Sequence, residues 1–415
     1  MTPNRIANKN SAAVVFAFSQ YLALGLTSIA GVIMARALGP AGRGQLASWQ
    51  SASVFGSLVL GLGIPSLIRG TSAKAVLAVQ YLYWVRRVSI SAVLITTPTF
   101  VILAWAHLIS IDAAIGLAIL FFTVAIASWR NALRALCQSD ADLRGIGRGG
   151  IAAALTVLLL ACAIATAGSL TVRIAMIVFC AGIASELLVY RRSQGLHRSA
   201  AADAMQLMPV LRRSVFALPA QLAEASVVRV DQLLLPLTAG ATQAGLYAAA
   251  VAVAGLPIVM VQVAVARGSR HIVDAISISE KALFVRRMAK EAVGLTALAS
   301  IVACPLALLI SQVFGSPYRA SAGLALALLA ANPLVAVAYV ATYALQALGR
   351  PGYSSVLWVP GLVVYGVLFL PMTMGWKAWG AVGCSALAYA LCGLGGVVLV
   401  RRALLATNEF DAVTT

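Results

Sequence analysis

Apolar residues along this chain fall into blocks instead of alternating with polar ones. Each block approaches the roughly 20 residues that an α-helix needs to cross the hydrocarbon of a bilayer, and short stretches rich in Gly, Pro, Arg and Lys separate them. The pattern predicts helices over 11–35, 46–68, 88–106, 113–136, 146–167, 172–190, 214–236, 242–265, 289–313, 320–346, 354–375 and 378–400. The expected fold is an all-α polytopic membrane protein of about twelve transmembrane helices. The longest stretch between spans, 191–213, is too short for a folded domain. The chain therefore divides into an N-terminal six-helix bundle (1–190), a cytoplasmic linker (191–213) and a C-terminal six-helix bundle (214–415). The opening MTPNRIANKN leads into an apolar run longer than the roughly 7–15 residues of a secretory signal, so it is read as the first span.

Composition agrees, because 61% hydrophobic and 10% charged residues leave too little polar surface for a water-soluble chain. Charge then orients the helices. Of the 30 lysines and arginines, 24 fall on one side, among them Arg86–Arg87, Arg130, Arg134, Arg191–Arg192, Arg286–Arg287 and Arg401–Arg402. Only five fall on the other (Arg36, Arg43, Arg173, Arg319 and Lys377), and Arg229 stays inside a span. By the positive-inside rule both termini are expected in the cytoplasm. The net charge of +18 is then explained by cytoplasmic loops meeting anionic membrane lipids, and no nucleic acid is expected as a partner. Six cysteines lie scattered without a CxxC or a neighbouring His, so neither a disulfide frame nor a metal site is implied, and no cofactor is expected.

The two halves echo each other. Gly39 and Gly44 after the first span recur as Gly240 and Gly245 after the seventh, Arg86–Arg87 recurs as Arg286–Arg287, and Arg191–Arg192 as Arg401–Arg402. Six spans per half is an even number, so both halves enter from the same side and should be related by a pseudo-two-fold axis along the membrane normal, with a substrate path between them. Trp49, Ser53, Gly56, Leu60 and Gly63 form a helically spaced small-residue stripe in the second span, and Pro257 should kink the eighth.

The seventh span carries Glu224, Arg229 and Asp231. Ionised groups near mid-membrane cost roughly 2.5–3.5 kcal/mol each on insertion scales, so they face protein or water and mark a transport path. Glu224 and Asp231 are seven residues apart and share a helix face, whereas Arg229 points away from both. Arg229 therefore needs either a carboxylate on another helix or an anionic ligand, and its planar fork suits phosphate. Glu224 and Asp231 either couple transport to protons or sodium or serve structure, Asp231 by capping polar groups and Glu224 by pairing with a basic residue. In the first span Gln20 and Thr27 share a face and either hydrogen-bond a sugar or join helices. Arg36 lies near the membrane at the outer turn made by Gly39, Pro40, Gly42 and Gly44, where it could meet phosphate, while Arg43 is read as part of an exposed turn. Trp49 and Gln50 are further cavity candidates, Trp49 doubling as an interfacial anchor. Arg130 and Arg134 read as an inside anchor.

ARALGPAGRGQLA (35–47), RRSVFALPAQLAEASVVRVDQLLL (212–235), AGLYAAAVAVAGLP (244–257) and LQALGRP (345–351) together resemble, in order and spacing, the polysaccharide-transport family. That family belongs to the superfamily of multidrug, oligosaccharidyl-lipid and polysaccharide exporters and includes O-antigen-type flippases. The resemblance implies two six-helix bundles around a central cavity lined largely by spans one, two, seven and eight, in the bacterial cytoplasmic membrane. It also implies a lipid-linked oligosaccharide as cargo and polysaccharide polymerisation machinery as a partner, while H+ or Na+ as coupling ion follows from Glu224 and Asp231. The physics suits such a cargo, since its hydroxyls and pyrophosphate cannot enter hydrocarbon while its polyprenyl tail can.

None of the five lysines stands in a phosphate-cradling GxxxxGK[ST] loop, which excludes ATP-driven pumping by this chain alone. His107, His197 and His271 are isolated at helix ends and no nucleophile–base constellation is visible, so a membrane glycosyltransferase or ligase is disfavoured and no enzyme is expected. A cation-coupled exporter of small drugs or metabolites from the same superfamily is the nearer rival.

Overall fold

The computed structural model describes residues 3–65, 75–139, 142–193, 207–275 and 277–414, and all of the described elements are helical. They are α1 (Pro3–Leu60), α2 (Ala75–Trp105), α3 (Ile111–Ser139), α4 (Leu143–Thr166), α5 (Val172–Ser193), α6 (Leu207–Thr238), α7 (Ala241–Ala254), α8 (Ile258–Asp274), α9 (Ile278–Leu308), α10 (Ile310–Phe314), a single 3₁₀ turn (Ser316–Tyr318), α11 (Ser321–Ala347), α12 (Pro351–Trp376) and α13 (Ala378–Thr414). Most of the predicted linker, residues 194–206, lies outside the described residues, as do Arg69 and Lys74.

Among the described residues nine helical stretches are long and apolar enough to cross a membrane, and the bent pair α7–α8 makes a tenth. One of the nine, Val15–Leu60, is 46 residues long, twice what a crossing requires, and is interrupted at Gly39. α6 has the length, 32 residues, but Glu224, Arg229 and Asp231 crowd one membrane thickness and disqualify it on composition alone. Counting α1 twice and α6 once gives the twelve crossings that the sequence predicts. The surface fits a hydrocarbon solvent: Leu94, Ile95 and Val101 on α2 and Leu298, Ile301 and Val302 on α9 are all exposed.

Two of these helices break at related sequences. The second predicted span, 46–68, does not remain helical; α1 ends at Leu60, and Gly61–Gly63 form a turn with Leu62 at φ 48° and Gly63 at φ 74°. Gly63 thereby leaves the stripe expected for that span, while Gly56 stays in it, so close to α3 that a Cβ there would lie 2.7 Å from Val124 Cγ2. In the eighth predicted span the break falls at Gly255–Pro257, and α7 and α8 meet at 44°. The local chemistry is the same in both, GLGIP (61–65) and GLP (255–257): glycine lowers helix propensity, and proline removes a donor and disfavours helical geometry in the residue before it.

The chain forms two compact units. Unit 1 holds Met1–Leu38 and Gln45–Leu222, and unit 2 holds Gly39–Gly44 and Ala223–Thr415, so the division falls inside α6 and the six residues after the α1 break go with the second unit. Unit 1 has two buried apolar clusters, one around Leu133, Leu136, Ile146 and Tyr190, the other around Met34, Leu46, Val157 and Met176. In unit 2 α11 packs on α7, α9 and α13, and α13 packs on α12, around the fully buried Trp358, Tyr247 and Phe369.

Segment 39–44 meets the start of α7 in a reciprocal way. A Cβ on Gly44 would lie 2.0 Å from the Ala241 carbonyl oxygen, and one on Gly245 would lie 1.8 Å from the Pro40 carbonyl oxygen. Pro40 and Ala241, like Gly44 and Gly245, are repeat mates at one offset, so the contact has the self-complementary form of a two-fold interface. Gly39 (φ 66°, ψ 177°) and Gly240 (φ 89°, ψ 158°) share a backbone conformation that other residues adopt only under strain. The internal repeat read from the sequence is thus repeated in backbone geometry.

Candidate functional site

α6 brings its three charged residues to quite different surroundings. Asp231 is 1% exposed, and its carboxylate is enclosed by donors from three helices. The Gln232 backbone N–H donates to Oδ1 at 2.7 Å, the Tyr247 hydroxyl of α7 donates to Oδ2, and the Ser385 hydroxyl of α13 lies 3.3 Å from Oδ2. Tyr365 of α12 extends the cluster, its hydroxyl 2.8 Å from Ser385 Oγ. A buried carboxylate is tolerated where hydrogen bonds replace its water, and these groups supply them.

Arg229 is exposed although it sits two residues before Asp231 in the same apolar helix. It forms no ion pair among the described residues, but it lies near enough to Asp231, Tyr339 of α11 and Tyr389 of α13 to interact with them electrostatically. Glu224 is half-buried and lies near enough to the same Tyr339 to interact with it electrostatically, with the opposite charge. Around Arg229, unit 2 therefore combines an exposed guanidinium with the half-buried Glu224 and Tyr339 and the buried Tyr389. Such a surface can bind an anion and donate or accept hydrogen bonds with a hydroxyl-rich ligand.

The remaining predicted site residues lie in unit 1. Gln20 is half-buried beside Gly150 of α4. Thr27 is exposed, with its hydroxyl donating to its own helix at Ala23 O, 2.8 Å, so that donor joins no second helix. Arg36 is exposed and Gln50 half-buried. Trp49 packs against an interior cluster, with Gly116 of α3 at its ring edge.

Three further arginines have distinctive surroundings. Arg130, read as an inside anchor, forms a part-buried ion pair with Glu186 of α5 at 2.7 Å, and the Tyr190 hydroxyl donates to the other Glu186 oxygen at 2.5 Å. Arg86 lies over the neighbouring Trp129 ring at 5.7 Å. Arg43 is half-buried, not exposed, and its Nε is enclosed without a hydrogen bond. It sits near Tyr318, whose phenol is pushed up to about 12 by burial, with the Arg43 charge acting in the opposite direction.

The sequence reading missed Tyr247, Ser385, Tyr365, Tyr339, Tyr389 and Glu186. Tyr247 and Ser385 reach Asp231 across 16 and 154 residues of chain, and no local spacing announces such a pairing. The one available signal was general: a carboxylate predicted inside a span needs buried donors, and tyrosines on other spans can provide them. Among the described residues no group of three or more His, Cys, Asp or Glu could hold a metal ion.

No family profile and no curated protein matches the sequence. Solved structures do match the fold. An inward-facing multidrug-resistance MATE transporter of the MOP superfamily superposes with a TM-score of 0.68 at 14% identity, covering 96% of this chain and 99% of that one. A MATE transporter in complex with MaL6 gives 0.72 at 14%, covering 96% and 97%. A MOP superfamily transporter from Pyrococcus furiosus, described as having a binding pocket of reversed polarity that suggests a different function, gives 0.67 at 14%, covering 95% and 96%. The chain thus has the MATE-like helical fold over nearly its whole length.

Proposed function

We propose that this protein is an alternating-access transporter that moves a lipid-linked oligosaccharide, carried on a polyprenyl-pyrophosphate-type lipid, from the inner to the outer leaflet of a bacterial cytoplasmic membrane, with both termini cytoplasmic. The observation that carries the reading is Arg229: an exposed guanidinium in an apolar helix, without an ion pair among the described residues, beside two tyrosines on other helices. An arginine so placed is costly unless water or an anion meets it. A planar five-donor fork suits phosphate, and the half-buried Tyr339 beside it suits a hydroxyl-rich cargo. The MATE-like fold and the paired helix breaks at Gly61–Gly63 and Gly255–Pro257 support transport, since interrupted helices in corresponding positions of two repeats characterise transporter binding regions. Arg36, Gln20, Thr27, Trp49 and Gln50 of unit 1 are further cargo contacts in this proposal.

Asp231 and Glu224 are the coupling groups, exchanging H+ or Na+ as access alternates. Asp231 is held by Tyr247 and Ser385, so a change in its charge would be felt on α7 and α13 together. A second reading, a cation-coupled exporter of small drugs or metabolites, is favoured by the likeness to multidrug MATE transporters. Deleting the gene and following the surface polysaccharide separates the two. A flippase predicts loss of the glycan and accumulation of inward-facing lipid-linked precursor, whereas altered drug sensitivity with normal glycan supports the exporter.

A further inference from the structure

Away from Arg229 and Asp231, one half-open cavity in unit 2 has chemistry of its own. α8 and α9 form a hairpin closed by a capping box, in which Ser277 Oγ accepts the Glu280 N–H at 3.2 Å and Glu280 Oε2 accepts the Ser277 N–H at 3.4 Å. Further along the pair, Gly268, His271, Phe284, Arg287, Met288 and Glu291 line a cavity of ≈ 390 Å³, within the roughly 300–1,000 Å³ typical of ligand sites. Its walls are closely fitted. A Cβ on Gly268 would lie 2.7 Å from Met288 Cγ and Sδ, so the helices approach closely there. Met288, 2% exposed, forms the floor, and the His271 ring stacks on Phe284 with centroids 5.5 Å apart and planes 25° apart. Arg287 is exposed at the open side and has no ion-pair partner among the described residues, and Glu291 lies one turn further along the same face of α9.

Depth along the helix narrows the choice of occupant. α9 carries Glu280, Lys281, Arg286, Arg287, Lys290 and Glu291 in its first turns and no charge from 292 to 308, so the cavity lies where the helix passes from interface to hydrocarbon. We propose that it binds a phospholipid headgroup of the ethanolamine type. Arg287 and a His271 N–H hold the phosphate, Glu291 receives the ammonium, and Phe284 and Met288 take the glycerol and the first methylenes. A lone inorganic phosphate would leave the ring stack and thioether unmatched and would face Glu291 with like charge.

The test uses the whole protein, purified in detergent, exchanged against mixtures of phosphatidylethanolamine and phosphatidylglycerol, with retained lipids counted by native mass spectrometry. Wild type should retain phosphatidylethanolamine preferentially. Arg287→Ala should reduce that retention about tenfold, the equivalent of one charge-assisted hydrogen bond, and Glu291→Gln should shift preference towards phosphatidylglycerol. Arg287→Gln, which keeps most of the side-chain length, serves if the alanine variant does not fold. Unchanged retention in a folded Arg287 variant and in Phe284→Ala would overturn the proposal. So would thermal stabilisation by inorganic phosphate alone that disappears in the Arg287 variant while lipid retention persists, which would assign the cavity to a soluble phosphate.

Discussion

Arg229 and Asp231 stand two residues apart on α6, yet one is exposed and the other enclosed by hydroxyls. The helix itself separates them, since successive positions rotate by about 100°. Arg229→Ala should lower glycan export by about tenfold, with Arg229→Lys retaining part of it because the charge survives without the fork; surface polysaccharide measured against protein level in the membrane decides this. Tyr247→Phe removes a donor from a buried carboxylate and should cost about 1–3 kcal/mol, read as a lower melting temperature in detergent. In unit 1, Arg130→Met leaves the buried Glu186 with the Tyr190 hydroxyl and the nearby Arg134 charge to meet it. That should destabilise by about 3–5 kcal/mol, and the double variant with Glu186→Leu should recover much of the loss.

At the scale of the helix, backbone contacts replace side-chain chemistry. Gly44 and Gly245 touch the carbonyls of Ala241 and Pro40 so closely that any Cβ must displace backbone. Gly245→Ala should therefore destabilise by at least about 1–3 kcal/mol, while Gly25→Ala, with nothing within 4 Å, should be neutral or slightly stabilising. Thermal unfolding of the two variants side by side provides the comparison. Helix number and approximate position were legible in the sequence because apolar length alone decides whether a segment crosses a bilayer. The kink at Pro257 was legible for an equally local reason, a missing N–H. The unwinding at Gly61–Gly63 was not, because GLGIP remains apolar and the hydropathy pattern runs through it unbroken. α6 shows the opposite case: it was recognised as a span by its length, and its charges, which count against it on composition, are what single it out.

On the scale of the whole molecule, the repeat read from Gly39, Gly44, Gly240 and Gly245 reappears as matching positive-φ glycines and a reciprocal contact. The partners of the site charges were not legible, since they are fixed by which helices pack together and not by spacing along any one of them. Glu186 was overlooked for the same reason; its partner Arg130 is 56 residues away. The fold is shared with drug transporters, so the identity of the cargo rests on Arg229 and its surroundings and not on architecture. The most direct measurement is reconstitution of the purified chain into liposomes containing a fluorescently labelled lipid-linked oligosaccharide, following how much glycan becomes accessible to a membrane-impermeant quencher. The account predicts transbilayer movement well above that of protein-free liposomes and its loss in Arg229→Ala. Movement no faster than in empty liposomes, or undiminished in a folded Arg229→Ala variant, would contradict it.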